Sequence, residues 1–534
     1  MGVAHEYLGA VLRRAREPME PFGFEPDWAD HPRRGKFYPG VENLGLPEGP
    51  ARPEATVQQG LFGPEPTRPG TFDLPLLADM LLHSYGRLGR RLAHNANPSQ
   101  ASLPRYADAA WARGTASGGG LYPAAVYWVS GGAGPVLPGV YHYSTTHHTM
   151  QRLLTGDVSA TVGAALGGGV GVDTDQYLVV GVKFWQNAFK YNSFAYHAVT
   201  MDVGTVVQTW RMWARAHGVA VSPALWFDEG RLSELVGVVP GDEGILAVVP
   251  LPWGPPKPPI TDPAVPVLSA GRVRAVEQER SRRVRAFDTV TRVHAATLAG
   301  ADRRPAPDAL KNVPALPAPA DEPPTVALPE PAPLDLSLRA ALRTRRSSFG
   351  RFSAHLEVRP DQLAALLRAA STAGRYGCDV GPGAAGPPLA GLGVFVNHVA
   401  GVAPGVYRYD PDTNGLRLIA EGSRGRFLQR TYFLDNYNLE QAAAVIVPTV
   451  RASAVLDAVG ARGYRLTNAV VGAVAQSVYT AAPALGLGCG VALGFDNVAY
   501  GEELGLAETG EAPLLIMLVG HERAMPADFR YDLV

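Results

Sequence analysis

Three short stretches of this chain hold residues whose types and spacing could do chemistry. FKYNSFAY (189–196) sets Lys190 beside Tyr191, two proton-transfer groups in adjacent positions. A lysine acts as a base near neutral pH only where burial or a neighbouring cation lowers its pKa. Otherwise Lys190 is a lysine at a strand end, with Tyr191 covering the core. RGTASGGGLYP (113–123) is a turn of small polar residues, then three glycines and an aromatic. With no Cβ in the way, the backbone around Ser117, Gly118 and Gly119 can approach a planar or anionic ligand closely. Tyr122 either closes over that ligand or simply packs. LRTRRSSFGRF (342–352) gathers Arg345, Arg346, Ser347 and Arg351 just before an expected helix. Guanidinium forks and a hydroxyl beside a helix start suit a phosphate.

These stretches sit in a chain that contains itself twice. PGVYHY (138–143) returns as PGVYRY (404–409), a shift of 266 residues. Tyr196/Tyr464, Gly204/Gly472, Gln208/Gln476, Gly218/Gly486, Phe227/Phe495, Asp228/Asp496, Gly237/Gly505 and Glu243/Glu511 all stand 268 apart. A supersecondary unit has been duplicated and fused. Its elements are predicted as a helix over 74–92 with Pro75 in its first turn, strands at 124–130 and 176–184, a buried helix over 201–217 and a strand at 244–251. The second copy repeats the order at 358–371, 391–397, 442–450, 466–482 and 512–520. This interleaving without a strict βαβ rhythm predicts two α+β sheet-and-helix domains. Residues 1–57 read as an arm around the first domain, 58–265 as domain 1, 266–334 as a linker and 335–534 as domain 2. The linker opens with an expected basic helix, RVRAVEQERSRRVRAF (272–287), whose arginines read as a solvated face rather than a peptide-binding one. Ten prolines follow in 305–333.

The two copies differ where chemistry would be. At the 266 offset the SGGG loop falls on GAAGPPL (383–389), and the arginine cluster falls near LADMLLHSYG (77–86), which has no arginine. Lys190 and Tyr191 fall on Ala458 and Val459 at the 268 offset. Each half keeps what the other lacks, so one composite site between the halves is expected, with a degenerate mate.

Bulk properties exclude several classes. With 48 basic and 49 acidic residues the net charge is −1, which gives no phosphate-tracking surface for nucleic acid. No apolar run is long enough for a membrane span or a secretory signal, and the chain reads as soluble and cytoplasmic. Cys378 and Cys489 cannot make a zinc cluster or a disulfide framework. Cys489 reads as a small buried residue, since no His stands near it in sequence. His142, His147 and His148 sit on a strand and hairpin tip without carboxylate or Cys spacing, so no metal is expected.

SGGGLYP, PGVYHY, the Lys–Tyr pair ahead of the Tyr–His/Arg helix, RRSS and the early WADHPRRGKFYPG together resemble the SagB-type peptide dehydrogenases of the nitroreductase superfamily. The resemblance covers most of the chain. It implies two fused nitroreductase-like domains forming an intramolecular pseudo-dimer with one FMN at their interface. Arg345 and Ser347 would then hold the phosphate, with Arg346, Arg351 and Arg523 as helpers. Ser117, Gly118 and Gly119 would lie against the flavin ring, and Gly488, Cys489 and Gly490 in GLGCGVALGFD (486–496) would offer backbone N–H groups to it. TASGGG departs from the family's usual Pro before the Ser, and RRSSFGRF spaces its last Arg differently. Lys190 and Tyr191 match the family's pair for azoline oxidation. The implied activity is oxidation of thiazolines or oxazolines to azoles in a ribosomally made, modified precursor peptide, beside a cyclodehydratase partner. Two other readings stand: a flavin oxidoreductase acting on another small or carrier-bound substrate, and a scaffold subunit whose sites have decayed. A further homodimer is left open.

Overall fold

The computed structural model describes residues 2–49, 52–64, 70–92, 109–168, 173–254, 271–315, 325–380, 388–524 and 530–533. Two antiparallel sheets frame it. In the first, Glu42–Gly45, Thr149–Thr155, Gly139–Ser144, Ala124–Ser130, Gln176–Lys183 and Glu243–Pro250 lie side by side in that order. In the second the order is Gly488–Ala492, Ile516–Gly520, Ala444–Val450, Ala390–Val396, Gly405–Asp410, Gly415–Glu421 and Val326–Ala327. Helices pack on both, giving the mixed α+β architecture. Glu42–Gly45 comes from the expected arm and Val326–Ala327 from the expected linker. Both are edge strands, where a short, Pro-flanked segment can pair on one side only. A small third sheet joins Arg530–Asp532 to Gly89–Leu92 and Ala109–Ala112.

The repeated hexapeptide folds the same way twice. Both hairpins shift register just before a tyrosine, at Val140/Tyr141 and at Val406/Tyr407. Each tyrosine hydroxyl then donates to a carbonyl four residues back, Tyr141 to Leu137 at 2.6 Å and Tyr407 to Ala403 at 2.7 Å. Asp228 and Asp496 each cap a helix, Glu229–Val236 and Asn497–Glu503. The two long helices, Ala195–Ala216 and Gly463–Ala484, cross at matched glycines. A Cβ on Gly204 would overlap the Ala469 carbonyl, and one on Gly472 the Met201 carbonyl. One apolar cluster runs through this crossing and into both halves, while the far face of each sheet keeps a smaller cluster of its own.

Several elements depart from the sequence reading. The helix expected over 74–92 ends at Tyr85, where Gly86 donates to the Leu81 carbonyl, and Gly89–Leu92 is a strand. The first long helix begins at Ala195, earlier than expected. The arm opens with a helix, Val3–Arg13, which buries Tyr7, Leu8 and Val11. It touches both halves: Tyr7 donates to the Ser193 carbonyl at 2.8 Å, and Arg14 donates to Asn497 at 2.7 Å. The basic stretch 272–287 is extended, not helical, and the helix comes only at Asp288–Leu298. Its inward positions alternate through Val273, Glu277, Glu279 and Ser281, and both glutamates bind Lys183. Polar residues on the inward face hide the period of 2 from any apolar count. No helix among the described residues is long and apolar enough to cross a membrane.

Candidate active site

Lys190 and Tyr191 end a short helix, Trp185–Tyr191, rather than a strand. Trp185, Ala188 and Phe189 bury its inner side, and Asn192 (φ 44°) turns the chain into the first long helix. Lys190 Nζ lies 5.8 Å from the Trp28 ring centroid. Burial lowers its pKa, and the nearby Arg34 lowers it further. The Tyr191 phenol is pushed up to about 12, by burial first and by the Asp202 carboxyl second. The two neighbours are thus driven apart: the lysine toward its neutral form, the tyrosine toward staying protonated.

The glycine loop reaches this pair. Gly119 adopts φ 64°, and a Cβ there would lie 3.0 Å from Lys190 Nζ and overlap Tyr191 Oη. Only glycine allows this approach. Ser117 and Gly118 are committed to the protein itself. Ser117 Oγ donates to Asp202 Oδ2 at 2.6 Å and accepts from the Tyr122 N–H at 2.9 Å, and the Gly118 N–H donates to Asp202 Oδ1 at 2.8 Å. Burial raises the Asp202 carboxyl to about 7, against the opposing pull of those two donors. Tyr122 is buried beneath the Arg113 guanidinium, 4.3 Å from its ring centroid, so it packs.

The second-half residues also come together, but around each other. Arg345 to Arg351 follow the short helix Leu338–Thr344, so the cluster stands at a helix C-terminus and not at a helix start as expected. The helix equivalent in the first half is Val57–Phe62. Its N-cap Thr56 pairs with Ser337, the N-cap of Leu338–Thr344. The first-half counterpart of the cluster therefore begins at Gly63 and Pro64, and not within 77–86. Arg345 is buried, donating to the carbonyls of Gly114 and Arg113 at 3.0 Å each. Arg346 pairs with Glu522 at 3.0 Å, and Arg351 reaches the same carboxylate at 3.7 Å and the Arg523 carbonyl at 3.1 Å. Ser347 Oγ and Tyr479 Oη share a hydrogen bond of 2.8 Å. Ser348 donates twice to the Cys489 carbonyl, binding the cluster to the strand Gly488–Ala492. Room at Gly488 is taken by Ser348 and Glu522, and room at Gly490 by Tyr437. Burial raises the Cys489 thiol well above its ordinary value, so it packs as a thiol. Arg523 is exposed.

The first-half loop is the bridge between the two groups. Besides the Arg345 bonds, the Ala116 N–H donates to Gln476 Oε1 at 2.9 Å, Gln476 Nε2 donates to Gly114 O at 3.1 Å, and Thr205 donates to Ala116 O at 2.8 Å. Residues 113–119 are clamped between both long helices and Arg345. The loop's partner in the second half falls mostly outside the described residues. Asp202, Tyr479 and Glu522 belong to this arrangement and were not singled out from sequence. Gln476 entered the sequence reading only as the repeat partner of Gln208, and Arg113 only as the first residue of the glycine-rich stretch. A charge at 202 facing Val470 at the repeat offset was the available signal for Asp202. Three exposed aromatics stand out in this part of the chain: Trp28 near Lys190, Phe349 against Tyr437, and Phe433 against Arg14, 52%, 55% and 45% exposed. A cavity of about 290 Å³ touches Trp185 and Ala188 but none of the site residues.

The nitroreductase family profile matches residues 406–521. A curated protein of Methanocaldococcus jannaschii named as a nitroreductase is 32% identical over 196 residues, covering 35% of this chain and 92% of that protein. The crystal structure of a protein described as a nitroreductase from Anabaena variabilis aligns over 98% of this chain and all of its own, with a TM-score of 0.71 at 21% identity. It shares the fold across both halves. An E. coli microcin synthetase complex with a truncated peptide bound aligns over 40% of the chain at a TM-score of 0.28, too low to carry an argument. With nearly the whole of the Methanocaldococcus relative matched at that identity, the chain belongs to the nitroreductase family.

Proposed function

We propose that this chain is an FMN-dependent dehydrogenase that oxidises thiazoline or oxazoline rings to azoles in a ribosomally made, modified peptide. It would work from one composite site between the halves of an internal pseudo-dimer. One observation carries the reading: Lys190 and Tyr191 meet the Cβ-free backbone of Gly119, with their pKa values driven in opposite useful directions. A reductase of nitro or quinone compounds has no need of such a pair.

The residues fit a flavin phosphate ester and a planar ring. Arg345, Ser347 and Arg351 supply cationic and hydroxyl donors, and the buried Arg351 Nε has no hydrogen-bond partner among the described residues. A Cβ on Gly120 would meet no atom within 4 Å, leaving backbone surface beside the loop. As the resemblance implies, Arg345 and Ser347 would be the main phosphate ligands, and Arg346 and Arg351, which face Glu522, the helpers. Arg345 would bind while clamping the loop carbonyls, and Ser347 while bonded to Tyr479. Arg523 and the backbone of Gly488, Cys489 and Gly490 would be lesser contacts, with Ser348, Glu522 and Tyr437 packed over the two glycines.

Aromatising an azoline removes a proton from one ring carbon and a hydride from its neighbour; a bound flavin supplies the hydride acceptor. The chain supplies the rest. Lys190 Nζ, lowered by burial and by Arg34, takes the proton. Tyr191 Oη, still protonated, donates a hydrogen bond that orients the ring. Trp28, Phe349 and Phe433 give a peptide-borne ring an apolar mouth that excludes water. The azolines must come from an enzyme that cyclodehydrates Cys, Ser or Thr side chains, the expected partner. The test is incubation of the FMN-loaded protein with a synthetic thiazoline peptide, reading loss of two hydrogens by mass. Azole formation is expected; bound FMN with no mass change overturns the reading.

A further inference from the structure

The basic stretch that the sequence assigns to a solvated helix is an extended strap lying beside the candidate site. Its backbone is tied to residues 30–37. The Gln278 N–H donates to the Phe37 carbonyl at 2.8 Å, Ser281 Oγ to the Asp30 carbonyl at 2.8 Å, and the Arg282 and Arg283 N–H groups to the Asp30 carboxylate at 2.7 and 2.9 Å. Trp185, on the helix that carries Lys190, donates its indole N–H to Ser281 Oγ at 2.9 Å. Strap, arm and Lys190 helix form one mechanical unit.

Holding the backbone this way turns the arginines outward. Arg280, Arg282, Arg283 and Arg285 of the strap, and Arg33 and Arg34 of the arm, are all exposed. Arg280 spends one donor on the His31 carbonyl and Arg33 one on the Gln278 carbonyl. Most carboxylates nearby are already engaged: Asp30 by the two backbone N–H groups, Asp27 by those of Ala29 and Asp30, and Glu277 and Glu279 by Lys183. That leaves the exposed Asp242, lining one cavity with Arg285, and Asp288 just past the strap as the acidic exceptions. The positive field continues inward, since Arg34 bears on both Lys190 and Arg87, and its carbonyl accepts from Arg113. A chain with net charge −1 therefore concentrates cations on one strip that ends at the candidate catalytic lysine.

We propose that this arginine strip is a docking surface for an acidic segment of a peptide, which holds the peptide while another part of it reaches Lys190. The inference rests on the peptide-dehydrogenase reading for why a peptide comes to this site. The chemistry fits: clustered guanidinium groups on a rigid backbone recognise carboxylates with paired N–H donors. Exposed charges also steer encounter more than they hold it, so binding weakens with salt.

The test uses the full chain without flavin or azoline. A fluorescein-labelled peptide of alternating Glu and Ala is titrated by anisotropy, beside a Lys–Ala peptide and a polyuridine RNA. Arg282→Glu/Arg283→Glu/Arg285→Glu should weaken Glu–Ala binding roughly tenfold or more. The gentler triple glutamine variant should weaken it in the same direction, whatever the first variant does to folding. Arg303→Glu/Arg426→Glu/Arg430→Glu, exposed arginines elsewhere, should leave it unchanged. No Glu–Ala binding, binding indifferent to the strap variants, or RNA binding at least as tight as the peptide's would overturn the proposal. The two readings fail separately. A protein that binds the acidic peptide yet never oxidises an azoline sinks the dehydrogenase alone. One that oxidises azoline peptides with unchanged KM after the strap is reversed sinks the docking surface alone.

Discussion

The two halves of this chain agree where they must fold and differ where one of them could react. Tyr141 and Tyr407 brace matching hairpins, Asp228 and Asp496 cap matching helices, and Gly204 and Gly472 make matching crossings. The first half alone carries Lys190, Tyr191 and Asp202; the second has Ala458, Val459 and Val470 in their places. The second half alone keeps the strand Gly488–Ala492. In the first half Pro223 stands where Val491 donates its N–H to Tyr479, and the segment is reduced to an isolated bridge at Ala224. Identity across the repeat thus marks scaffold, including Gln476, which matches Gln208 and clamps the loop, and loss of identity marks the groups that could react.

The sharpest way to break that contrast is to make the first half like the second. Lys190→Ala installs the residue of position 458. Azole formation should fall 10²- to 10⁴-fold, about 3–5 kcal/mol of barrier, with flavin content unchanged. Unchanged single-turnover rates would remove Lys190 from the chemistry. Next in size is Asp202. Burial pushes its carboxyl up to about 7 in the folded state from 3.8, so the folded state binds the extra proton between those values. Stability should therefore fall as pH rises from about 4 to 7, by up to about 4 kcal/mol. Asp202→Asn should flatten that slope in urea titrations at a series of pH values. An equal slope in the variant would assign the proton to another group.

Much of the scaffold was legible in the sequence, because strands made of buried apolar runs and the duplicated register leave strong patterns. The clustering of Lys190, Tyr191 and Gly119 was foreseen only as family likeness, since no spacing rule brings residues 119 and 190 into contact. The sequence of 272–287 reads as a solvated helix, and the structure makes it an extended strap, because Glu277, Glu279 and Ser281 face inward to serve Lys183 and Trp185. A polar inner face looks solvated in a hydropathy pattern. The arginine cluster was placed at a helix start because the short helix Leu338–Thr344 is too brief to show a period. Arg345 was read as a ligand-binding residue, and the structure adds that its guanidinium clamps the first-half loop.

The retained features should behave alike in both halves. Gly472→Val drives a side chain into the Met201 backbone, which cannot give way as a flexible side chain would. A loss of about 3 kcal/mol is expected in denaturant midpoints. Gly204→Val should match it within the error of the measurement, since its clash with Ala469 is the mirror of the first. A large loss at one glycine and none at the other would mean that the two copies do not share one crossing.

Cys489 is the smallest test and the most discriminating between scaffold and chemistry inside the second half. It differs from Val221 at the repeat offset, so by the rule above it belongs with the divergent, reactive positions. The geometry argues otherwise. Its carbonyl, not its sulfur, receives the Ser348 donors, and burial keeps the thiol protonated. Cys489→Ala leaves that carbonyl in place and removes only one buried sulfur. It should cost about 1 kcal/mol of stability and leave flavin content and turnover unchanged. Loss of turnover with flavin retained would place the sulfur in the reaction, and divergence between the halves would then mark chemistry even where the side chain is sealed from solvent.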